Sequence, residues 1–138
     1  MSLAWSVKLV MDKTQEYSRP TIPTLEFSKG MSEEEVFQNA VVRPVIKMLH
    51  DLLLAYFKHF IATKKLQFSQ LSEKEKTNFI ESSFHKDIAF RNEIRGLVIG
   101  HFSTAEFLLY AAMQHEINRS INTILKERIS SNRESLLE

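Results

Sequence analysis

The side chains best suited to chemistry in this chain are polar residues that interrupt apolar stripes. Asp87 and Arg91 are four residues apart, the spacing of an ion pair along one helix face. His115 and Asn118 are three residues apart and share a face of a later helix. Such residues either satisfy one another within the fold or line a small pocket, where the guanidinium would bind an anion. We therefore take Asp87, Arg91, His115 and Asn118 as ligand-binding candidates.

Motifs for metals, cofactors and nucleophiles are missing from the sequence. The chain has no cysteine, which excludes cysteine-bound zinc, iron–sulfur clusters and thiol catalysis. Its five histidines never occur at the Glu-x-x-His or His-x-x-x-His spacings that place two metal ligands on one helix face. It contains no Gly-x-Ser-x-Gly turn and no glycine-rich phosphate loop. We therefore expect no metal and no cofactor.

Charge and hydropathy restrict the partners and the location of the protein. The formal net charge is +1, and because basic and acidic residues are mixed along the chain, we do not expect nucleic acid as a partner. The most apolar stretch, residues 41–62, contains six charged or histidine side chains, which excludes a transmembrane span. No secretory signal is visible. The sequence thus predicts a cytoplasmic protein without membrane contact.

Helix-start signals divide the chain into three long runs. Three glycines and three prolines are too few for a turn-rich β fold. The motif Ser-x-x-Glu, which forms a capping box at a helix N-terminus, begins at Ser32, Ser72 and Ser103. Apolar residues at spacings of three and four follow each motif. The three periodic runs cover residues 33–63, 73–99 and 104–130.

The predicted fold class is all-α, an elongated helical bundle of three long helices. Pro44 lies inside the first run and removes a backbone hydrogen bond. Because the apolar phase continues through Pro44, we favour one kinked helix over two separate helices. Ser82 and Ser83 mark a candidate break in the second run. Breaks of this kind would divide the bundle into four or five helices.

The bundle is expected to cover residues 32–130, and the chain on either side differs from it. Residues 1–31 form an extended N-terminal arm, since Pro20 and Pro23 disfavour helical backbone before them. This arm is either a disordered lead-in or a segment that packs on its own bundle or on a partner subunit. Residues 131–138 are polar and are expected to fray.

The length of the runs leads to a prediction about assembly. Helices of such length would measure roughly 40–45 Å, whereas a compact domain of this size is only about 30–35 Å across. Either the helices break or the molecule is elongated, and an elongated bundle leaves apolar flanks uncovered. The sequence therefore predicts a homodimer with an isologous interface. A further protein partner remains open.

One short segment resembles a nuclease motif. Arg95 and His101 are separated by five residues near the end of a predicted helix. This spacing resembles the Arg-x(4–6)-His signature of HEPN-type helical ribonucleases. The resemblance implies that Arg95 and His101 of two subunits would converge on an RNA phosphodiester. Gly96 follows Arg95, where that family usually has a polar residue.

A longer stretch, over residues 27–128, resembles a family of small uncharacterised bacterial proteins, some of which are labelled glyoxalase. The resemblance is carried by the segments 27–35, 90–92 and 99–102. It implies a small helical protein. The metal-ligand clusters that glyoxalase chemistry implies are not found in this sequence, so the residues do not support that label.

These observations favour a function in interaction or regulation, without catalysis. Three alternatives stay open from the sequence: a HEPN-like ribonuclease, an enzyme of the glyoxalase-labelled kind, and a binder of a small anionic ligand. The candidate residues for the first are Arg95 and His101, and those for the third are the four polar residues named at the start.

Overall fold

The computed structural model describes residues 18–20 and 30–137, and all regular structure in these residues is helical. The all-α prediction is therefore confirmed. The α-helices are α1 (Glu33–Phe37), α2 (Arg43–Met48), α3 (His50–Thr63), α4 (Glu73–Lys86), α5 (Ile88–Ile99), α6 (Thr104–Ala112) and α7 (Gln114–Ser131). A π turn, Gln38–Val42, joins α1 to α2, and short 3₁₀ turns occupy Phe68–Gln70 and Arg133–Leu137.

The predicted helix starts are correct because each is fixed by local hydrogen bonds. Ser72 and Ser103 each accept the backbone N–H of the residue three positions on, at 3.2 Å. The glutamate at that position accepts the N–H of its serine, which completes both capping boxes. Ser32 also accepts the N–H of Glu35 at 3.2 Å and begins α1. These caps satisfy N–H groups that have no partner within the helix.

The first long run consists of several helical pieces rather than one kinked helix. Proline lacks an N–H, and its ring crowds the carbonyl four residues earlier. The chain widens into the π turn just before Pro44, and the N–H of Arg43 donates to the carbonyl of Gln38, five residues back. A second interruption occurs at Leu49, whose backbone angles are φ −90° and ψ 10°. Pro44 cannot donate a backbone hydrogen bond, and the extra residue of the π turn accommodates this irregularity in the helix.

The second and third runs are each divided as well. Asp87, with φ −92° and ψ 96°, separates α4 from α5, and Met113, with φ −124° and ψ 28°, separates α6 from α7. The expected break at Ser82 and Ser83 is wrong, because both residues remain helical. The hydroxyl of Ser83 donates to the carbonyl of Phe79 at 2.8 Å, a bond that fits within a helix.

Because the runs are divided, the helices are shorter than predicted. The longest, α7, has 18 residues and measures about 27 Å. It therefore fits within a compact domain of this size, and the length argument for an elongated bundle no longer applies. Within the described residues, none of the helices combines the length and the apolar character needed to cross a membrane.

Aromatic rings join α3, α4 and α5 at the centre of the core. The ring of Phe57, which is fully buried, has its centroid 5.6 Å from that of Phe90 and 6.0 Å from that of Phe79. Phe60 lies closest to Phe90, at 4.3 Å. Helix α4 also packs against α7. Other fully buried residues of the core are Val42, Val45, Ile46, Leu49, Ile80, Ile94, Val98, Ile117, Ile121, Leu125 and Ile129.

Most of the predicted arm, residues 1–17 and 21–29, lies outside the described residues, as does Glu138. Within the predicted tail, residues 131–138, the 3₁₀ turn Arg133–Leu137 packs against α3 and the Phe68–Gln70 turn. Leu136 is buried there, and apolar burial offsets the entropy of ordering the chain.

Truncation of the central ring should have a large effect on stability. We expect Phe57→Ala to lower the free energy of unfolding by about 3–5 kcal/mol, because it leaves a cavity among three other rings. Ile88→Ala on α5 is the matched control, since Ile88 is 63% exposed, and its effect should be about 0.5 kcal/mol or less. Urea denaturation measures both. Similar decreases in the free energy of unfolding for the two variants would contradict the central position of Phe57 in the core.

Candidate functional site

Helix α6 has an apolar surface that the rest of the chain leaves uncovered. Of its nine residues, only Tyr110 is buried. Phe107, Leu108 and Leu109 are 48%, 64% and 56% exposed. A helix of this apolar character normally lies inside a core, and large exposed apolar patches mark interaction sites. We therefore take the outer face of α6 as the candidate functional site.

Tyr110 fastens α6 to the bundle. Its hydroxyl donates to the side-chain oxygen of Asn118 on α7 at 2.5 Å. Its ring packs edge-on against Phe102, with centroids 5.8 Å apart. The sequence predicts that Asn118 either hydrogen-bonds within the fold or lines a small pocket with His115. In the structure it holds α6 to α7, and its oxygen is occupied by the tyrosine.

The start of α6 is held by a contact from the N-terminal arm. Arg19 donates from Nη2 to Oε1 of Glu106 at 2.7 Å, and it also donates to Oε2 of Glu106 and to the carbonyl of His101. The N–H of Ser103 donates to the same carboxylate at 2.7 Å. The hydrogen bonds from Arg19, and then that from Ser103, lower the pKa of Glu106 to about 2, although burial opposes this. The carboxylate is thus charged and fully engaged.

An apolar groove extends the α6 surface towards α1. It has a volume of about 390 Å³ and lies between α1, the π turn and the end of α6. Its apolar lining includes Met31, Val36, Phe37, Ala40, Leu109 and Met113. Leu109 belongs both to this groove and to the exposed face of α6. The two features therefore form one continuous surface.

Asp87 and Arg91 lie together at the corner between α4 and α5, but not as an ion pair. Oδ1 of Asp87 accepts the N–H of Phe90 at 3.0 Å and caps α5, while Oδ2 lies 3.2 Å from Nζ of Lys64. These two bonds, the first being the larger cause, lower the pKa of Asp87. Arg91 donates to the carbonyls of Phe84 and of His85, at 3.3 Å each. The expected Asp87–Arg91 pair is replaced by caps on the two helix ends.

The remaining candidates lie in separate surroundings. His115 is exposed, and its Nε2 is 3.3 Å from Nη2 of Arg119. Arg95 donates to the side-chain oxygen of Asn92 at 2.8 Å, one turn earlier. Nδ1 of His101 lies 2.8 Å from the carbonyl of Leu97. Each of these side chains is held by a residue three or four positions away on its own segment.

The sequence did not single out α6 as exposed. Its residues were assigned to the apolar stripe of the third run, because periodicity cannot distinguish an apolar face that is buried from one that is not. The available signal was the composition of α6, which has one charged residue, Glu106, and no polar face. Within the described residues, no three His, Asp or Glu side chains form a group that could hold a metal ion.

The carboxylate of Glu106 should make stability depend on pH. Its pKa is about 2 in the folded protein against an ordinary 4.5, so the unfolded chain binds more protons between these values. The stability it contributes is present above about pH 4.5 and is lost as the pH falls towards 2. We expect Glu106→Gln to lower the free energy of unfolding by about 1 kcal/mol at pH 7. This difference from wild type should shrink as the pH falls from about 4.5 towards 2.

The matched control for this measurement is Glu116→Gln in α7, where the carboxylate is exposed. Chemical denaturation at several pH values should show little effect of that variant throughout. A stability difference for Glu106→Gln that stayed constant from pH 7 to the acid limit would show that its carboxylate is not held as described.

The chain was compared with protein-family models, with curated proteins and with solved structures. None of the three comparisons returns a match.

Proposed function

We propose that this protein is a homodimeric interaction module, without catalysis of its own, and that α6 lies at the centre of its dimer interface. The observation that carries the proposal is the exposure of Phe107, Leu108 and Leu109 on a helix that buries only Tyr110. Burial of such side chains against a second surface is favourable by about 25 cal/mol per Å². A second copy of the chain supplies that surface.

The order of residues along α6 supports a two-fold contact. Ala105, Leu108, Leu109 and Ala112 are spaced i, i+3, i+4 and i+7, so they line one side of the helix. This pattern reads the same in both directions from the midpoint between the leucines. In an antiparallel pair of α6 helices, each Leu108 would face Leu109 of the second copy, and each Ala105 would face Ala112. An isologous interface requires this kind of self-complementarity.

The charge of the surface also favours a second copy over a charged partner. Glu106 is the one charged residue in α6, and Arg19 and Ser103 occupy its carboxylate. The exposed face of α6 itself therefore offers no free charge with which to select an acidic or basic partner, and the charged residue that lines the adjoining groove is Glu33. Apolar matching between identical faces needs no such charge.

The area of the surface is consistent with an interface that extends beyond α6. Leu108 and Leu109, which lie on this face, together expose roughly 200 Å² of apolar surface. A standard interface buries about 800 Å² on each partner. The groove beside α1 continues the apolar surface from Leu109, so α6 and α1 together can supply the remainder.

Among the alternatives from the sequence, no contact in the described residues favours ribonuclease or glyoxalase activity. Arg95 and His101 are each bonded within their own turns, and Asp87 and Arg91 cap helices. The proposed role is therefore interaction or regulation through helix faces. Binding of a small anion has an observation of its own, which involves other residues.

Disruption of the α6 face should produce monomers. At about 50 µM we expect wild type to sediment at twice the chain mass of 16.1 kDa, and Leu108→Asp to sediment at 16.1 kDa. Two unpaired carboxylates at the centre of the interface should raise the dimer dissociation constant by about 100-fold or more. Because Leu108 is exposed in the single chain, its substitution should leave the helical circular dichroism spectrum unchanged.

The matched control is Ile88→Asp, which places the same carboxylate at an equally exposed apolar residue on α5. This variant should remain dimeric. A monomeric wild type at this concentration, or equal dissociation of the two variants, would reject the assignment of the interface to α6.

A further inference from the structure

Two arginines that are distant in sequence, Arg43 and Arg128, lie near enough at one end of α7 for the charge of one to act on the other. In the described part of the chain neither forms an ion pair with an acidic residue. Arg43 begins α2 directly after the π turn, and that turn packs against α7. Arg128 lies in the last turn of α7, and His50 is the first residue of α3. All three side chains are half-buried. Turns of π helix recur at functional sites, and this one leads directly into Arg43.

The hydrogen bonds of Arg128 are incomplete. Its Nη1 lies 3.0 Å from Nδ1 of His50. Its Nε is buried and has no hydrogen-bond partner in the part of the chain that the structure describes. A guanidinium has only donors, so Nδ1 of His50 must accept, which leaves the ring proton on Nε2. The histidine therefore gives Arg128 a neutral partner and retains a donor of its own.

The charges of the two arginines repel each other. Burial is the largest cause that lowers the pKa of Arg128, and the charge of Arg43 lowers it further. Ion pairs are found elsewhere among the described residues, but none involves Arg43 or Arg128. Placing two guanidiniums together without a carboxylate costs free energy, and an anion between them would remove that cost.

The other five arginines of the chain differ from Arg43 and Arg128 in their hydrogen-bond partners. Each of them has a hydrogen bond to a carboxylate, a carbonyl or another side chain, and none has a buried nitrogen without a partner. The pairs are Arg19 with Glu106, Arg91 with Phe84, Arg95 with Asn92, Arg119 with His115, and Arg133 with Glu73 and Thr77. Within the described residues, the side chain of Arg43 has no hydrogen bond or ion pair, and Arg128 is the one arginine with a buried side-chain N–H that lacks a partner.

We propose that Arg43, Arg128 and His50 form a binding site for a small oxyanion, such as a phosphate or a carboxylate group of a soluble molecule. The planar guanidiniums of Arg43 and Arg128 supply paired N–H donors that match the oxygens of such a group. Nε2 of His50 adds a further donor. The site lies on α2, α3 and α7, so it does not depend on the α6 interface.

The first test uses inorganic phosphate as the probe. Thermal unfolding of wild type in about 10 mM phosphate, compared with chloride at equal ionic strength, should show a rise in Tm of about 4 °C or more. Acetate at the same ionic strength forms a second arm. A larger rise with phosphate would assign the site to phosphate groups, and a larger rise with acetate would assign it to carboxylates.

Arg43→Gln separates a binding role from a structural one. It removes the repulsion on Arg128, so its Tm without added oxyanion should equal or exceed that of wild type. Its response to phosphate or acetate should be lost. The matched control, Arg119→Gln, removes an exposed arginine from α7, the helix that carries Arg128, and should keep the full response.

Two results would overturn the proposal. One is a wild type that phosphate and acetate stabilise no more than chloride does. The other is an equal response in Arg43→Gln and Arg119→Gln, which would indicate a general ionic effect. Sedimentation of Arg43→Gln should still report the assembly state of wild type, so failure of this site and failure of the α6 dimer are separate outcomes.

Discussion

The packing of aromatic rings around Phe57 is the contact on which the rest of the structure depends. Its ring on α3 touches Phe79 of α4 and Phe90 of α5, so one side chain sets the position of three helices. Because α4 and α5 both converge on this point, the chain must turn sharply between them. Asp87 and Arg91 stabilise that turn by capping the two helix ends. The direction of α5 in turn determines where α6 begins.

Features that depend on neighbours in sequence could be predicted, and those that depend on tertiary packing could not. A capping box involves residues three apart, so the starts at Ser32, Ser72 and Ser103 were evident. Asp87 is also a helix cap, but it lacks the reciprocal glutamate and lies within an unbroken apolar phase. Met113 ends α6 without a side-chain cap, and nothing in its local sequence marks the break.

The candidate sites show the same limit. Asp87, Arg91 and Asn118 stand out in the sequence as polar residues within apolar stripes, and in the structure their hydrogen bonds go to helix ends and to Tyr110. Arg43 and Arg128 lie in different runs, and helical periodicity contains no information on which faces of two runs meet. The exposure of α6 was hidden for a related reason. An apolar helix appears the same in sequence whether its cover comes from its own chain or from another.

The contact between Arg19 and Glu106 has a consequence for how the protein is made. The two residues are 87 positions apart. A ribosome that adds about 5–20 residues per second needs roughly 4–17 s to advance from one to the other. During that interval the carboxylate that holds Arg19 does not yet exist, because α6 follows α1 to α5 along the chain. Arg19 can therefore make this contact only after those five helices have been synthesised.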